Sequence, residues 1–442
     1  MVRLALFAAT AVIALGGCSK PQFAAEDQYG ANPKLPDQQL YLIPPMGIAT
    51  PVGFKASETP VVPSGFTIDA IARDLNGPRR ILPLTNGDLL VVESGGPGYE
   101  PVLRPKSIVF GLVIGAAHSP IKPGNRVLLL RDTNGDGVTD QRIVLIPKLT
   151  SPFGIAVVGN KLYVAATDAI WEYPFTPGAT SVGAGRILTE LPGGPIDHHW
   201  TKDLTASPDG TKLYVGIGSN SNIVENGLEA EHDRAMIWEV DRTTGAHRQL
   251  ATGLRNPNGL TFMPGTNTLF AVVNERDELG NNLVPDYLTA VKPGAFYGWP
   301  YSYYGQHIDY RVHPQNPAKV ASAVRPDYAL GPHVAALGLT FFSGGIMPAQ
   351  FQGGAFVSEH GSWDRTAFYG YQVVFVPFAG GKPSGKPIPF VTGFIDPARQ
   401  EAKGRPVGLA IDASGALLVA DDVGNAIWRV RPSGPQATAA VH

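Results

Sequence analysis

A single cysteine, Cys18, serves a chain of 442 residues. No disulfide can form within the chain, so its stability has to come from a buried core. A Cys-x-x-Cys-His run is also missing, which excludes covalently attached haem. Charged residues make up only 16% and the formal net charge is −2, so there is no field to gather nucleic acid or an acidic membrane surface. Beyond the N-terminus no stretch is apolar enough to cross a bilayer, and helical periodicity is essentially absent. Glycine (52) and proline (40) are abundant and lie between short apolar runs, as many tight turns between short strands require.

The first residues read as a targeting segment. Arg3 precedes an apolar stretch from Leu4 to Leu15 that is too short to span a membrane, and Leu15-Gly16-Gly17-Cys18 resembles a bacterial lipobox. The expectation is a signal peptide over 1–17, lipidation of Cys18, and a tether and strap over 18–60. The alternative is an ordinary cleaved leader with an incidental cysteine. Ser19 follows the cysteine where aspartate would signal inner-membrane retention, which favours the outer membrane, facing the periplasm. Residues 434–442 read as a disordered tail.

Between them one unit recurs: a short apolar strand, a turn, then a second β-rich strand ending near a polar residue. Its six copies begin near Ile81, Gly154, Leu204, Gly259, Gly338 and Gly408. Asn86-Gly87, Asp209-Gly210 and Ser414-Gly415 supply the positive φ angles of tight hairpins. One such unit leaves a sheet face uncovered, and radial stacking covers it. The pattern therefore predicts an all-β fold, a six-bladed β-propeller over 61–433. Loops converge at one end of such a channel, so functional residues belong just before or after the repeated strands.

Several clusters stand there. Asp197-His198-His199-Trp200 precedes the third repeat, and one histidine of the pair can face the channel. Arg255 and Asn256 precede the fourth repeat and Lys403 and Arg405 the sixth, offering cations and donors to an anionic, multi-carboxylate ligand. Arg79 and Arg80 precede the first, and read equally well as salt-bridging loop residues. His333 and Arg365 flank the fifth unit as further pocket candidates, against the commoner role of structural hydrogen-bonders. Asp132, Asn134, Asp136 and Asp140, with the Val138 carbonyl, alternate as oxygen ligands for Ca²⁺. The acidic end at the ninth place rather than the twelfth suggests a calcium-binding hairpin, or simply a polar turn.

With these clusters placed, residues 60 to 432 resemble the soluble pyrroloquinoline-quinone (PQQ)-dependent sugar dehydrogenases, and most closely their sorbosone dehydrogenase branch. The resemblance rests on His199-Trp-Thr-Lys, Leu254-Arg-Asn-Pro-Asn-Gly259, Tyr297-Gly-Trp-Pro300, His360-Gly-Ser-Trp363 and Arg405-Pro-Val in that order. It implies a quinone over the channel held by Arg255, Asn256, Lys403 and Arg405, with His199 as general base for hydride transfer from an aldose or sorbosone-like sugar aldehyde. It also implies a Ca²⁺ on the cofactor, held by backbone carbonyls near Arg276 and Asp277. Electrons would leave to an external cytochrome or membrane quinone. The glucose-oxidising members carry Gly-Pro at the calcium loop where this chain has Arg276-Asp277, and their fifth-blade lysine falls here near His360 or Gly361.

Two other functions compete. A calcium-dependent lactone or ester hydrolase would need several inward carboxylates and asparagines, whereas the blade starts offer His, Arg and Lys. A sugar-binding propeller lipoprotein that has lost its chemistry would show an occluded channel or a missing ligand set.

Overall fold

The computed structural model describes residues 23–41, 46–97, 115, 119, 121–342 and 346–434. The signal segment, Cys18 and the tail 435–442 lie outside them. Each predicted repeat is the inner hairpin of a four-stranded antiparallel sheet, and six such sheets are present among the described residues. Their first strands are Pro78–Pro83, Gly154–Val158, Leu204–Ala206, Pro257–Phe262, Ala336–Phe342 and Pro406–Ile411. Each first strand packs on those of the sheets before and after it, the sixth meeting the first. The result is all-β and propeller-like. The α-helix Pro317–Ser322 is a short insertion, and no helix among the described residues is long and apolar enough to cross a membrane.

Burial falls from the inner strands outwards, as expected for sheets stacked face to face. The second strands Leu89–Glu93, Leu269–Val273, Gly354–Glu359 and Leu417–Asp421 are buried at every residue. The fourth strands Gln141–Ile146 and His247–Thr252 each begin with exposed residues and reach the core only near their ends. The tight turns follow the predicted chemistry: Gly210, at φ +69°, closes the third hairpin in a region that disfavours any side chain.

The last sheet joins the two ends of the chain. Phe66–Ala72 pairs with Ala426–Pro432 as its outer strand, so residues some 360 apart in sequence share one ladder. Upstream of it, the described part of the strap crosses sheets four to six. Gly30 bridges to Ala329, Gly47 N–H donates to the Trp363 carbonyl, Thr50–Pro51 pairs with Glu401–Ala402, and Val61 bridges to Thr392.

Candidate active site

Antiparallel pairing brings the start of each first strand opposite the end of its second: Pro78 faces Glu93, Pro257 faces Val273, Ala336 faces Glu359 and Pro406 faces Asp421. Side chains just before the first strands and just after the second strands therefore gather at one end of the sheets. Phe153, Leu337 and Val407, from the starts of three different inner strands, meet there as a small apolar cluster capped by Trp200.

His199 stands beside that cluster. Its Nδ1 lies 2.9 Å from the Ser219 carbonyl and 3.0 Å from Ser219 Oγ, whose own proton goes to the Ser221 carbonyl. A carbonyl only accepts, so Nδ1 carries the proton and Nε2 is left with a lone pair. Burial, then the Arg255 charge and neighbouring His198, hold the imidazole well below its usual pKa, so the ring is neutral at pH 7. Gly218 makes room for it: a Cβ there would stand 2.4 Å from His199 Cβ and 2.7 Å from Asn256 Oδ1. Lys202, three residues on, is fully buried, donates to the Trp200 carbonyl, and is pushed down to about 7 by burial.

Arg255 is spent inside the protein. Its Nη2 reaches Asn222 Oδ1 at 2.9 Å and Asp277 Oδ2 at 3.0 Å, Nη1 donates to the Glu275 carbonyl, and Nε to the Asn222 carbonyl. Four of its N–H donors, expected to meet a ligand carboxylate, have acceptors within the protein. Asn256 Nδ2 donates to Asn274 Oδ1, although at 3.3 Å. The Lys403 ammonium turns to Glu58 of the strap, 3.3 Å away. Arg365 stacks 4.1 Å over Tyr369 and donates to the Pro332 carbonyl and Asn282, under the strap.

Arg276 and Asp277 stand in the loop after the fourth sheet's second strand. The Arg276 side chain is wholly buried among Glu275, Asp309 and the Pro300 and Ser302 carbonyls. The Asp277 carbonyl already accepts from Asn222 Nδ2 and Arg311 Nη1. The Asp277 carboxylate meets His333, in the connection from the fourth sheet to the fifth, and Asp364, just after the fifth sheet's second strand; ligand atoms of the three all lie within 4.8 Å of one another. Burial works to lower the His333 pKa, but the adjacent Asp277 and Asp364 carboxylates override it and lift it to about 9. Burial raises Asp364 to about 7.

A second cluster faces the same end from sheets one, five and six. Arg79 pairs with Asp422 at 2.9 Å, and His360 Nε2 lies 3.1 Å from both oxygens of that carboxylate. Burial would raise Asp422, but Arg79 and His360 outweigh it and hold the carboxyl well below its usual range. Arg405 lies over Tyr371 at 4.9 Å and donates to its hydroxyl, while Arg79 lies over Trp200 at 5.5 Å. Nε of Arg79 and Nε of Arg405 are both buried and have no acceptor.

The TrAA12-like family pattern matches residues 122–295 and 309–433, the greater part of these six sheets. This chain belongs to the TrAA12-like family. It is 24% identical over 434 residues to the PQQ-dependent pyranose dehydrogenase of Coprinopsis cinerea, covering 85% of this chain and only 55% of that protein. The holo PQQ domain of the Coprinopsis cinerea pyranose dehydrogenase superposes with a TM-score of 0.68 at 20% identity, over 87% of this chain and 100% of the domain. The PQQ-bound aldose sugar dehydrogenase of Streptomyces coelicolor follows with a TM-score of 0.53 at 16% identity, over 84% and 99%. Likeness at these identities establishes the fold.

In this TrAA12-like chain the Asp132–Asp140 segment is a hairpin turn between Arg126–Arg131 and Gln141–Ile146, as expected. Its oxygens are turned onto its own backbone: Asp132 accepts from Gly135 and Gly137 N–H, Asn134 from Asp136 N–H, Asp136 from Val138 N–H, and Asp140 from Thr133. Sequence reasoning missed Asn222, Asp364 and Asp422. The available signal was their place, a polar pair or run directly after a second strand.

Proposed function

We propose that this chain is a PQQ-dependent oxidoreductase acting on an aldose or a sorbosone-like sugar aldehyde, at the loop end of a closed six-bladed propeller. The observation that carries the reading is the partly buried, neutral His199, whose Nδ1–H is committed to Ser219 so that Nε2 can only accept. His199 Nε2 takes the proton of the anomeric hydroxyl of an aldose, or of one hydroxyl of a hydrated aldehyde, and the carbon bearing it loses a hydride. When bound, the quinone supplies the two-electron acceptor for that hydride and passes the electrons to an external acceptor. Its anionic carboxylates fit the unpaired Nε donors of Arg79 and Arg405, which call for an acceptor in a buried place. Arg255, through Asp277 and Asn222, fixes the wall opposite. A Ca²⁺ would draw on the Asp277 carboxylate, since the carbonyl is engaged. Cys18 would anchor the domain to the envelope, facing the periplasm.

A calcium-dependent lactone or ester hydrolase is the second reading, favoured by carboxylates and asparagines gathered at Asn222, Asn256, Asn274, Asp277 and Asp364. One experiment separates the two. The purified protein is loaded with PQQ and Ca²⁺ and tested for dye reduction with a panel of aldoses and aldehydes, alongside lactone hydrolysis. Dye reduction that needs the quinone and disappears in His199→Ala supports the dehydrogenase. An absorbance spectrum without retained quinone after dialysis would sink it.

A further inference from the structure

We infer that the loop end of the six sheets is a docking face for a lipid bilayer, which it meets through exposed apolar side chains around its rim. The inference goes beyond the dehydrogenase reading and does not need it. Leu40 of the strap is 64% exposed and Tyr310 68%, with Ile308 exposed as well. Their neighbours fix all three at the loop end. Gln38 Nε2 donates to the Ile308 carbonyl, Gln39 N–H to the Leu279 carbonyl, and Arg311 Nη1 to the Asp277 carbonyl. Leu279 and Asp277 both belong to the loop that follows the fourth sheet's second strand. Leu228, between the second and third strands of the third sheet, and Ile121, at the same place in the first, are exposed too. Apolar side chains from three sheets and the strap thus stand around one rim. A ring of that kind is matched by a plane, and a bilayer is a plane with an apolar interior.

Singly exposed apolar residues are ordinary on a protein surface, so the chain around them decides the occupant. Residues 42–45 and most of 98–120 lie outside the described residues, and both segments leave and rejoin the described chain at this end. One lies between Gln39, on the Leu279 carbonyl, and Gly47, on the Trp363 carbonyl. The other follows the first sheet's second strand and returns to Arg126, opposite Glu93. In sequence the first is Leu42-Ile-Pro-Pro45, and the second holds Ile108-Val-Phe-Gly-Leu-Val-Ile-Gly-Ala-Ala117, ten residues without a charge. A run of that length is too short to cross a bilayer and long enough to enter its interface. The N-terminal side agrees. Gln28 Nε2 donates to the Asn282 carbonyl in the fourth sheet's loop. Gln28 is ten residues after Cys18, and an extended chain of that length reaches about 35 Å at most. The lipid proposed at Cys18 keeps the bilayer within that reach of the loop end, and this support alone depends on the lipidation reading. With a net charge of −2 the contact is apolar rather than electrostatic, so salt leaves it in place. The mouth that holds His199 then faces the bilayer, on the same side as an acceptor dissolved in lipid.

The test uses the full-length protein reconstituted with vesicles of phosphatidylethanolamine and phosphatidylglycerol. Leu40→Cys, Ile308→Cys and Tyr310→Cys each carry an environment-sensitive fluorophore at the loop end. Asn267→Cys and Ala413→Cys, exposed in the hairpin turns of sheets four and six, report the opposite end. Label taken up by Cys18 is measured on the parent protein and subtracted. The expected result is a blue shift at the three loop-end positions on adding vesicles, with quenching by nitroxide-bearing lipid at least about twice that at the turn-end positions. High salt should leave both unchanged. Leu40→Asp with Tyr310→Asp should weaken the quenching at position 308, and circular dichroism shows whether that variant folds. The single labels decide the matter without it. Loop-end labels as wet as turn-end labels would leave the N-terminus as the only membrane contact and overturn the inference. Quenching strongest at the turn end, or lost in salt, would overturn it as well. So would a blue shift that grows with protein concentration in the absence of vesicles, which would assign the face to a second copy of the chain. Neither quinone nor dye reduction enters the experiment, so its failure and that of the dehydrogenase reading are told apart.

Discussion

Gly218→Ala is the sharpest perturbation of the proposed base. Gly218 is not among the glycines with positive φ, so alanine meets no backbone strain there and only space matters. The added methyl would stand 2.4 Å from His199 Cβ and 2.7 Å from Asn256 Oδ1, where ordinary contact begins at 3.4 Å. His199 is held by Ser219 on one side, so the imidazole must retreat by about 1 Å. A misplacement of that size costs about a hundredfold in rate, roughly 2.7 kcal/mol of barrier. The assay is kcat/KM for dye reduction by quinone-loaded protein, with circular dichroism and thermal melting to show that the fold persists. The double variant with His199→Ala completes a cycle: if Gly218 acts through the histidine, the methyl should cost almost nothing once the imidazole is gone. A folded Gly218→Ala protein with kcat/KM within threefold of the parent would refute the placement of the base. So would an equal loss in the His199→Ala background.

Two further outcomes follow from the charges around the site. Because the His199 pKa is depressed, the ring is in its base form down to that lowered value, so the acid limb of kcat/KM should lie below pH 6.5. Arg255→Gln removes a like charge and should move the limb upward, and an acid limb at or above 6.5 in the parent protein would contradict the neutral ring. Arg405→Met should lower quinone affinity by at least about tenfold, read from the absorbance retained on dialysis, because it removes a charge-assisted donor set. Unchanged retention would take Arg405 out of the cofactor cluster.

The six repeats were legible because their determinants are local. A turn pair such as Asp209-Gly210 and the apolar run on each side of it lie within a dozen residues, and each maps onto an inner hairpin. The position of His199 was legible for the same reason, since a residue just before an inner strand must lie at the loop end. What the sequence hid is long-range. Nothing near Lys403 announces that Glu58, 345 residues earlier, takes its ammonium. Nothing near Arg255 shows that Asn222, Glu275 and Asp277 would consume its donors. The Arg276-Asp277 departure was visible, but its meaning was not. Arg276 enters a buried ion-pair cluster, and the Asp277 carboxylate meets His333 and Asp364.

The short segment Ser219–Asn222 ties these parts together. Its first residue holds His199 Nδ1 through a carbonyl. Its last places one amide oxygen, Asn222 Oδ1, against both Arg255 Nη2 and the Asp277 N–H. His199 and Asp277 are therefore both held by a common four-residue loop, although they lie at the start and end of strands in different sheets. Displacing that loop moves both, whereas displacing a strand of the outer rim moves neither. This explains how a site assembled from six repeated units keeps a fixed geometry: precision comes from side chains that bridge neighbouring sheets at their loop end, and the repeated hairpins supply only the frame on which those bridges are strung.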